Sequence, residues 1–353
     1  MSNNSSPATK VLYVLLIIAS CTKSTPESAG VTPSGSDAVT LKVGSYNLWT
    51  SDSRKKYLTQ YPEVSRQRYW KPSSGAMLAM VKDMDCDVFA FQEICDSIYG
   101  KKGNASSLKN LLERDSKGYV WAIWSNVDGA RVTASEGKLS YSPGICYKSA
   151  VLTLLEGGVF WLGGNPDAPE FVRTADFYPE YGDPKRACVW ARFRHNASGK
   201  IFYLLSAHLD TQSFGGVYYP VVNKENCKNL MTHADKVIVP TGIPSIIAGD
   251  MNASPSNDGY KLYLNKNSGR LHKWFDVYNY ASASGLLGPG ATESQVTINS
   301  YKETMGSSRI DHIFVDGFTP LSYDILRDKY PTLDSSLHWP SDHFPVVVTL
   351  ALD

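Results

Sequence analysis

The six cysteines include no CxxC pair, so the chain lacks the thiolate spacing of a structural zinc site. It also lacks an excess of either charge. The 35 Lys and Arg balance 34 Asp and Glu to a formal net charge of +1, which argues against a strong electrostatic commitment to nucleic acid and leaves room only for local basic patches. Its most prominent apolar run, Val11–Ala19, is far shorter than the ~20 residues a membrane-spanning helix needs. There is no internal repeat at solenoid periods. What remains is the composition of a soluble globular protein, 42% hydrophobic and 20% charged. At 353 residues it can bury a large core as one large domain or two ordinary ones.

The short apolar run carries its own information. Lys10 precedes it and Ser20-Cys21 follows, the order of a secretory signal peptide over residues 1–20. Ile18-Ala19-Ser20-Cys21 resembles the bacterial lipobox, in which Cys21 is lipidated and becomes the new N-terminus; the plainer alternative is an ordinary signal cleaved nearby. Thr22–Val39 is rich in Ser, Thr, Pro and Gly without apolar period, so residues 21–39 read as lipid anchor and flexible tether. The expectation is an exported bacterial lipoprotein, periplasmic or at the cell surface, held to the membrane through Cys21, with no protein partner implied. Cys86, Cys95, Cys146, Cys188 and Cys227 read as buried apolar residues or one opportunistic pair.

No second linker interrupts residues 40–353, which are expected to form one domain. Short β-branched and aromatic runs predict strands at Leu41–Asn47, Val88–Phe91, Tyr119–Trp124, Gly144–Tyr147, Val189–Phe193, Ile201–Ser206, Ser245–Ala248, Ile310–Val315 and Val346–Leu350. Helices are predicted at Arg66–Met84, Ser106–Arg114 and Asn223–Val239. Many strands with few helices in an unbroken span imply an α/β fold of two packed sheets flanked by helices.

Six of the runs deliver an acid, amide or imidazole at a strand end: Tyr46-Asn47, Phe91-Gln92-Glu93, Ala207-His208-Leu209-Asp210, Gly249-Asp250-Met251-Asn252, Arg309-Ile310-Asp311-His312 and Ser341-Asp342-His343. Singly, each is as well explained by a cap, a turn or a solvated loop. Asp250 and Asn252, two apart, would point to one side of an extended segment, and His312 would point away from Asp311. His195, His233, His272 and His338 lie outside the clusters and receive no role.

In this order the six clusters resemble the endonuclease/exonuclease/phosphatase superfamily from about Leu41 to Leu350. Phe160-Trp161-Leu162, Arg186-Ala187-Cys188-Val189-Trp190-Ala191-Arg192-Phe193 and Ala207-His208-Leu209-Asp210 are similar to its bacterial metal-dependent hydrolase branch. The chain departs from that branch after Asp210, where Thr211-Gln212-Ser213-Phe214 stands in place of a second His or a nearby Arg. The resemblance implies a four-layer α/β sandwich, deoxyribonuclease I-like, with two mostly antiparallel sheets and the site at one edge. It implies hydrolysis of phosphate esters by in-line attack of water, assisted by magnesium or else manganese, since carboxylates are hard oxygen ligands. Glu93 would be the chief metal ligand, with Asn47 beside it and Asp342 completing the shell. Asp250 would orient or deprotonate the water while Asn252 steadies a phosphoryl oxygen. Asp311 would orient His343, His208 would contact the scissile phosphate, and Asp210 would brace the site. Whether Asp250 or His343 takes the proton stays open.

The expected substrate is a phosphodiester, nucleic acid first, for an exported nuclease. The alternatives are a phosphomonoesterase or phospholipase-type hydrolase acting on lipid headgroups, sugar phosphates or inositol phosphates, and a noncatalytic surface protein that binds phosphorylated ligands. Two stretches could select among them: the basic, Tyr-interleaved segment Arg54–Lys71 and the loop Gly163–Pro184.

Overall fold

The computed structural model describes residues 39–49, 70–94, 108–114, 118–124, 131–132, 142–167, 186–214, 217–218, 220–235, 239–240, 242–264, 272–300, 307–331 and 337–352. All of them belong to one compact unit, Ala38–Asp353. The expected signal segment and all but Val39 of the expected tether, together with Cys95, Arg54–Tyr69 and most of Gly163–Pro184, lie outside the described residues.

In chain order the principal strands are β1 (Thr40–Asn47), β2 (Val88–Ile94), β3 (Tyr119–Trp124), β4 (Ser142–Lys148), β5 (Leu152–Trp161), β6 (Ala187–His195), β7 (Ile201–His208), β8 (Ser245–Asp250), β9 (Asp311–Asp316), β10 (Phe318–Ile325) and β11 (Val346–Leu352). The helices are α1 (Trp70–Met84), α2 (Leu108–Arg114), α3 (Pro220–His233), α4 (Asp258–Leu264), α5 (Val277–Ser284) and α6 (Pro289–Glu293). One sheet runs β10-β11-β1-β2-β4-β3 and ends in Arg131–Val132; the other starts from Phe275–Asp276 and runs β9-β8-β7-β6-β5. Each principal sheet is antiparallel except for one parallel pair, β1 with β2 and β7 with β8.

Period-two alternation builds the layers. Val43, Val88, Phe202, Leu204, Ile246, Ala248, Ile313, Val315, Val346 and Val348 share the core between the sheets. Their strand neighbours face outward. Tyr46, Phe89 and Phe91 pack with Met77, Met80 and Met84 of α1, while Tyr203, Leu205, Ile247 and Phe314 pack with Leu230 of α3 and Tyr263 of α4. The result is helix, sheet, sheet, helix: the expected four-layer α/β sandwich. Each buried Val, Leu, Ile or Phe contributes ~1.5–3 kcal/mol to this arrangement.

Every predicted strand is present, most of them longer by one to three residues. Two of the principal strands were not predicted, nor were the two-residue strands or the helices α4, α5 and α6. β5, LTLLEGGVFW, has a glycine pair and no clean alternation, and β10 carries Pro320 at a register shift against β11. The last predicted helix ends early: α3 is Pro220–His233, not Asn223–Val239. Cys86, Cys146, Cys188 and Cys227 are buried free thiols, with burial pushing the Cys188 pKa well above its usual value.

Candidate active site

The inward faces of the central strands are apolar along most of their length and turn polar at one end. On β1 the inward series is Leu41, Val43, Ser45, Asn47; on β7 it is Phe202, Leu204, Ser206, His208. Strand register then aligns the polar tips. Asp250 is paired with His208 on one side and with Asp311 on the other, so three reactive side chains stand in a row. In the opposite sheet Asn47 is paired with Gln92, and His343 precedes β11, whose Val346 pairs with Ser45.

Glu93 reaches this cleft by a different route. Parity along β2 would send it outward with Phe89 and Phe91. A register shift between Phe91 and Ile94 and a left-handed φ of 54° at Glu93 turn it back instead. Asn252 is likewise left-handed, φ 46°, and not extended. It meets Asp250 through a turn in which its backbone N–H donates to Asp250 Oδ1 at 2.9 Å. Its side-chain amide donates to Leu209 O at 2.9 Å. The i, i+2 reading of this pair thus gave the right proximity for the wrong geometric reason.

Asp250 Oδ2 is the hub. It accepts a hydrogen bond from Asn47 Nδ2 at 3.0 Å and lies 3.4 Å from His208 Nε2 and 3.8 Å from His343 Nε2. His343 Nδ1 is 2.8 Å from Asp311 Oδ2, and both side chains are buried. Asn47 Nδ2 also lies 3.5 Å from Glu93 Oε1, while its Oδ1 accepts the Trp49 N–H at 3.0 Å. Its amide therefore turns nitrogen toward the two carboxylates and oxygen toward the backbone. Ser341 ties the corner together: its hydroxyl donates to Asn47 O at 2.7 Å, and the His343 N–H reaches Ser341 Oγ at 3.2 Å. Asp342, half-buried, lies between them in the chain, with Oδ1 3.4 Å from Ser341 Oγ. Gln92 and Ser206, which sequence reasoning left without a role, close the seam beneath the site. The Ser206 hydroxyl donates to Phe91 O of the opposite sheet at 3.0 Å, and Gln92 Nε2 lies 3.4 Å from Ser206 Oγ.

Burial and charge set the protonation states. Burial and the Asp311 charge push the Asp250 pKa up to about 7, against the opposing pull of His343, the Asn252 N–H and the Asn47 amide. Burial alone would lower His343, but Asp311 and then Asp250 and Asp342 outweigh it and hold the imidazole well above its usual range. His208 goes the other way: burial, then the Arg186 and His343 charges, keep it neutral. His312 faces away from Asp311, as expected. Its ring and fully buried Arg309 surround Asp276, with Arg309 Nη1 2.6 Å and His312 Nδ1 3.3 Å from Asp276 Oδ2. His312 Nε2 lies 2.8 Å from Ala253 O and so anchors the turn that carries Asn252. His195, His233, His272 and His338 make their contacts elsewhere: His195 with Ser198, His233 with Phe160, His272 with Asp316 and His338 with Tyr330 across a short strand pair.

The donor set suits a hard divalent cation. Ligand atoms of Asp250, Asp311 and His343 lie within 4.8 Å of one another, and Asp311 Oδ1 is buried without a hydrogen-bond partner among the described residues. Glu93 supplies a further carboxylate across Asn47.

Comparison with known proteins decides the family: the model of the endonuclease/exonuclease/phosphatase family matches residues 44–343. The chain belongs to this family. Its members are phosphoesterase hydrolases that act on phosphate-ester substrates, nucleic acids among them, generally with a divalent metal. No curated protein matches the chain. Among solved structures it is similar to an endonuclease/exonuclease/phosphatase family protein of Bacteroides thetaiotaomicron, at 24% identity and TM-score 0.66, over 89% of this chain and 98% of that one. A mannosyl-6-phosphatase of the same organism is also 24% identical, with TM-score 0.63 over 88% of this chain and 99% of that one. D. rerio TDP2 complexed with single strand DNA product is 16% identical, with TM-score 0.56 over 88% and 98%.

Proposed function

We propose that this phosphoesterase hydrolyses phosphate monoesters of small polyhydroxylated molecules with a divalent cation, magnesium or manganese. The observation that carries the catalytic part is the convergence on Asp250 of Asn47, His208 and the Asp311–His343 pair, drawn from both sheets. The substrate part rests on size and charge. Beside the site, Gln212 donates to Asn252 O at 2.6 Å, and Gln212 also lines a cavity of about 290 Å³ together with the apolar Pro220 and Val221 and the polar Lys224, Ser256, Asn257 and Asp258. Its polar side chains beside an apolar wall would suit the carbon-and-hydroxyl body of a small leaving group, and its volume suits a small one. The mannosyl-6-phosphatase among the similar structures is in keeping with such a substrate. Nucleic acid, the first expectation from sequence, keeps one argument, the DNA complex of the D. rerio neighbour. The balanced net charge counts against it.

Glu93 and Asp342 would hold the cation, which would neutralise phosphoryl charge when bound. That side is preferred to the Asp250, Asp311 and His343 cluster because a cation between Asp311 and His343 would displace their 2.8 Å hydrogen bond. Asn47, as oriented, serves by holding the Glu93 and Asp250 carboxylates together. Water attacks phosphorus in line with the leaving oxygen, the bond from phosphorus to that oxygen breaks, and the oxygen leaves as an alcohol with a proton taken from solvent. The water proton passes to Asp250, whose neighbours His208 and His343 line the approach. His343, charged and fixed through Nδ1 by Asp311, turns Nε2 toward the reacting phosphoryl group, and Asn252 braces Asp250 from behind. We further infer export and lipid anchoring through Cys21.

The test is a hydrolysis panel with and without chelator: p-nitrophenyl phosphate, bis-p-nitrophenyl phosphate, mannose 6-phosphate and single-stranded DNA. Metal-dependent turnover led by the monoesters is the expected result. Faster cleavage of DNA would overturn the substrate assignment, and no turnover of any ester with magnesium or manganese would leave a noncatalytic phosphate-binding protein.

A further inference from the structure

Arg186 stands one residue before β6, beside the tip of β7, and its side chain is only 9% exposed. A guanidinium buried to this degree needs compensation for its lost hydration. It receives little. Nε and Nη2 share one acceptor, Asp210 Oδ1, at 3.4 and 3.5 Å, both long for a charged hydrogen bond. Nη1 is buried and has no hydrogen-bond partner among the described residues.

The partner acid, by contrast, is firmly held. The Asp210 N–H donates to Asn226 Oδ1 at 3.0 Å, and its carbonyl accepts Asn223 Nδ2 at 2.7 Å, both from α3. The same Asn223 amide also bonds Met251 O at 2.9 Å, which ties Asp210 to the loop of Asp250 and Asn252. Arg186 is therefore set against the active-site loops by a rigid acid, with one face of its fork unused. It also lies close enough to His208 for its charge to act on that ring. A planar fork with free N–H groups next to a phosphoryl-transfer site matches a tetrahedral oxyanion.

We propose that Arg186, positioned by Asp210, binds a non-bridging phosphate oxygen of the substrate and of the inorganic phosphate released. This deepens the phosphoesterase reading and rests on it. The cation is worth more to a terminal phosphate, which carries about two negative charges near neutral pH, than to a diester, which carries one. Arg186 then becomes a determinant of monoester preference.

Inorganic phosphate is the probe, measured with the full-length protein and magnesium in excess. Arg186→Met should raise both the phosphate inhibition constant and the KM for p-nitrophenyl phosphate by about 10–100-fold, the range for a lost charged hydrogen bond. The KM for the bis-ester should change several-fold less. Arg186→Lys, which keeps the charge without the fork, should recover part of the loss. Asp210→Asn should fall between Arg186→Lys and wild type. Thermal melting in the presence of phosphate gives a readout independent of turnover: wild type should be stabilised and Arg186→Met should not. If Arg186→Met does not fold, Arg186→Lys and Asp210→Asn carry the comparison. Unchanged inhibition constants and melting shifts in the folded variants would overturn the inference while leaving the phosphoesterase reading intact. A wild type without phosphoesterase activity, still protected by phosphate through Arg186, would overturn that reading and leave the anion site standing.

Discussion

The Asp311–His343 pair offers the most discriminating test of the chemistry. Both side chains are buried and lie 2.8 Å apart at Nδ1 and Oδ2. Asp311→Asn removes the charge and keeps the shape. Little else in the backbone should move, because the Asp311 backbone is held separately, by Thr297 Oγ1 at 3.1 Å, and Asp311 Oδ1 makes no hydrogen bond among the described residues that could be lost. A hydrogen bond to a charged group contributes about 1.5–3 kcal/mol, so kcat should fall roughly 10–150-fold with KM little altered. His343→Ala should lose on the order of 10²–10⁴-fold, the range for a positioned acid–base group. Asp311 also raises Asp250, but its direct hydrogen-bond partner is the His343 ring, so the double variant should match His343→Ala within a few-fold. Steady-state kinetics on the four proteins at fixed magnesium gives the coupling directly. Losses that simply multiply would show that Asp311 and His343 act independently, and the orienting role would have to be abandoned.

Glu93→Gln keeps the side-chain shape and removes its charge, so the magnesium needed for half-maximal activity should rise at least ~10-fold; an unchanged metal titration would remove Glu93 from the cation site. Gly249→Ala should cost on the order of 3 kcal/mol or more, because φ is 152° and a Cβ would run into the Ala207 carbonyl oxygen on the neighbouring strand; urea unfolding within 1 kcal/mol of wild type would contradict this. The His272–Asp316 pair, 2.6 Å apart, has a defined pH window. Burial alone would lower His272, but Asp316 raises it above 6.5, so its contribution is full below 6.5 and lost as pH rises through the raised value. Asp316, lowered below 3.8 by the His272 hydrogen bond, contributes fully above 3.8 and loses this as pH falls. The stability gap between wild type and Asp316→Asn should therefore be widest at about pH 4–6.5, and a gap that grows toward pH 9 would refute the assignment. Cys21→Ser should release the protein from the membrane or block its processing; unchanged partitioning into detergent would end the lipoprotein reading.

The central strands were legible because alternation is a local property, and the inward series ending in Asn47, His208, Asp250 and Asp311 follows from parity alone. Where parity breaks, sequence reasoning lost the mechanism even when it kept the residue. Glu93 reaches the cleft through a bulge, and Asn252 through a left-handed turn. Neither leaves a mark in a pattern of polar and apolar letters. The Asn47 amide shows a second limit: which of its ends faces Glu93 depends on the Trp49 N–H, a contact set by backbone direction. Arg186 was visible only as one letter of a motif, and the signal available was a cation directly before a strand that borders the His208 tip.

Among the described residues, hydrogen-bonded contacts cross from one sheet to the other at the site from Asn47 to Asp250, His343 to Asp311, Ser206 to Phe91 and Gln92 to Ser206. They act as a gauge of how the two sheets are aligned. Reacting groups displaced by about 1 Å can cost on the order of 10²-fold in rate. A volume change deep in the shared core, at Leu204 or Val348 for instance, can then silence the enzyme without touching a reactive atom and without unfolding the chain. The coupling also runs in reverse. A phosphate ester that engages groups of both sheets clamps them together, so at a hundred times its dissociation constant it would add about 2.7 kcal/mol to the stability of the whole sandwich.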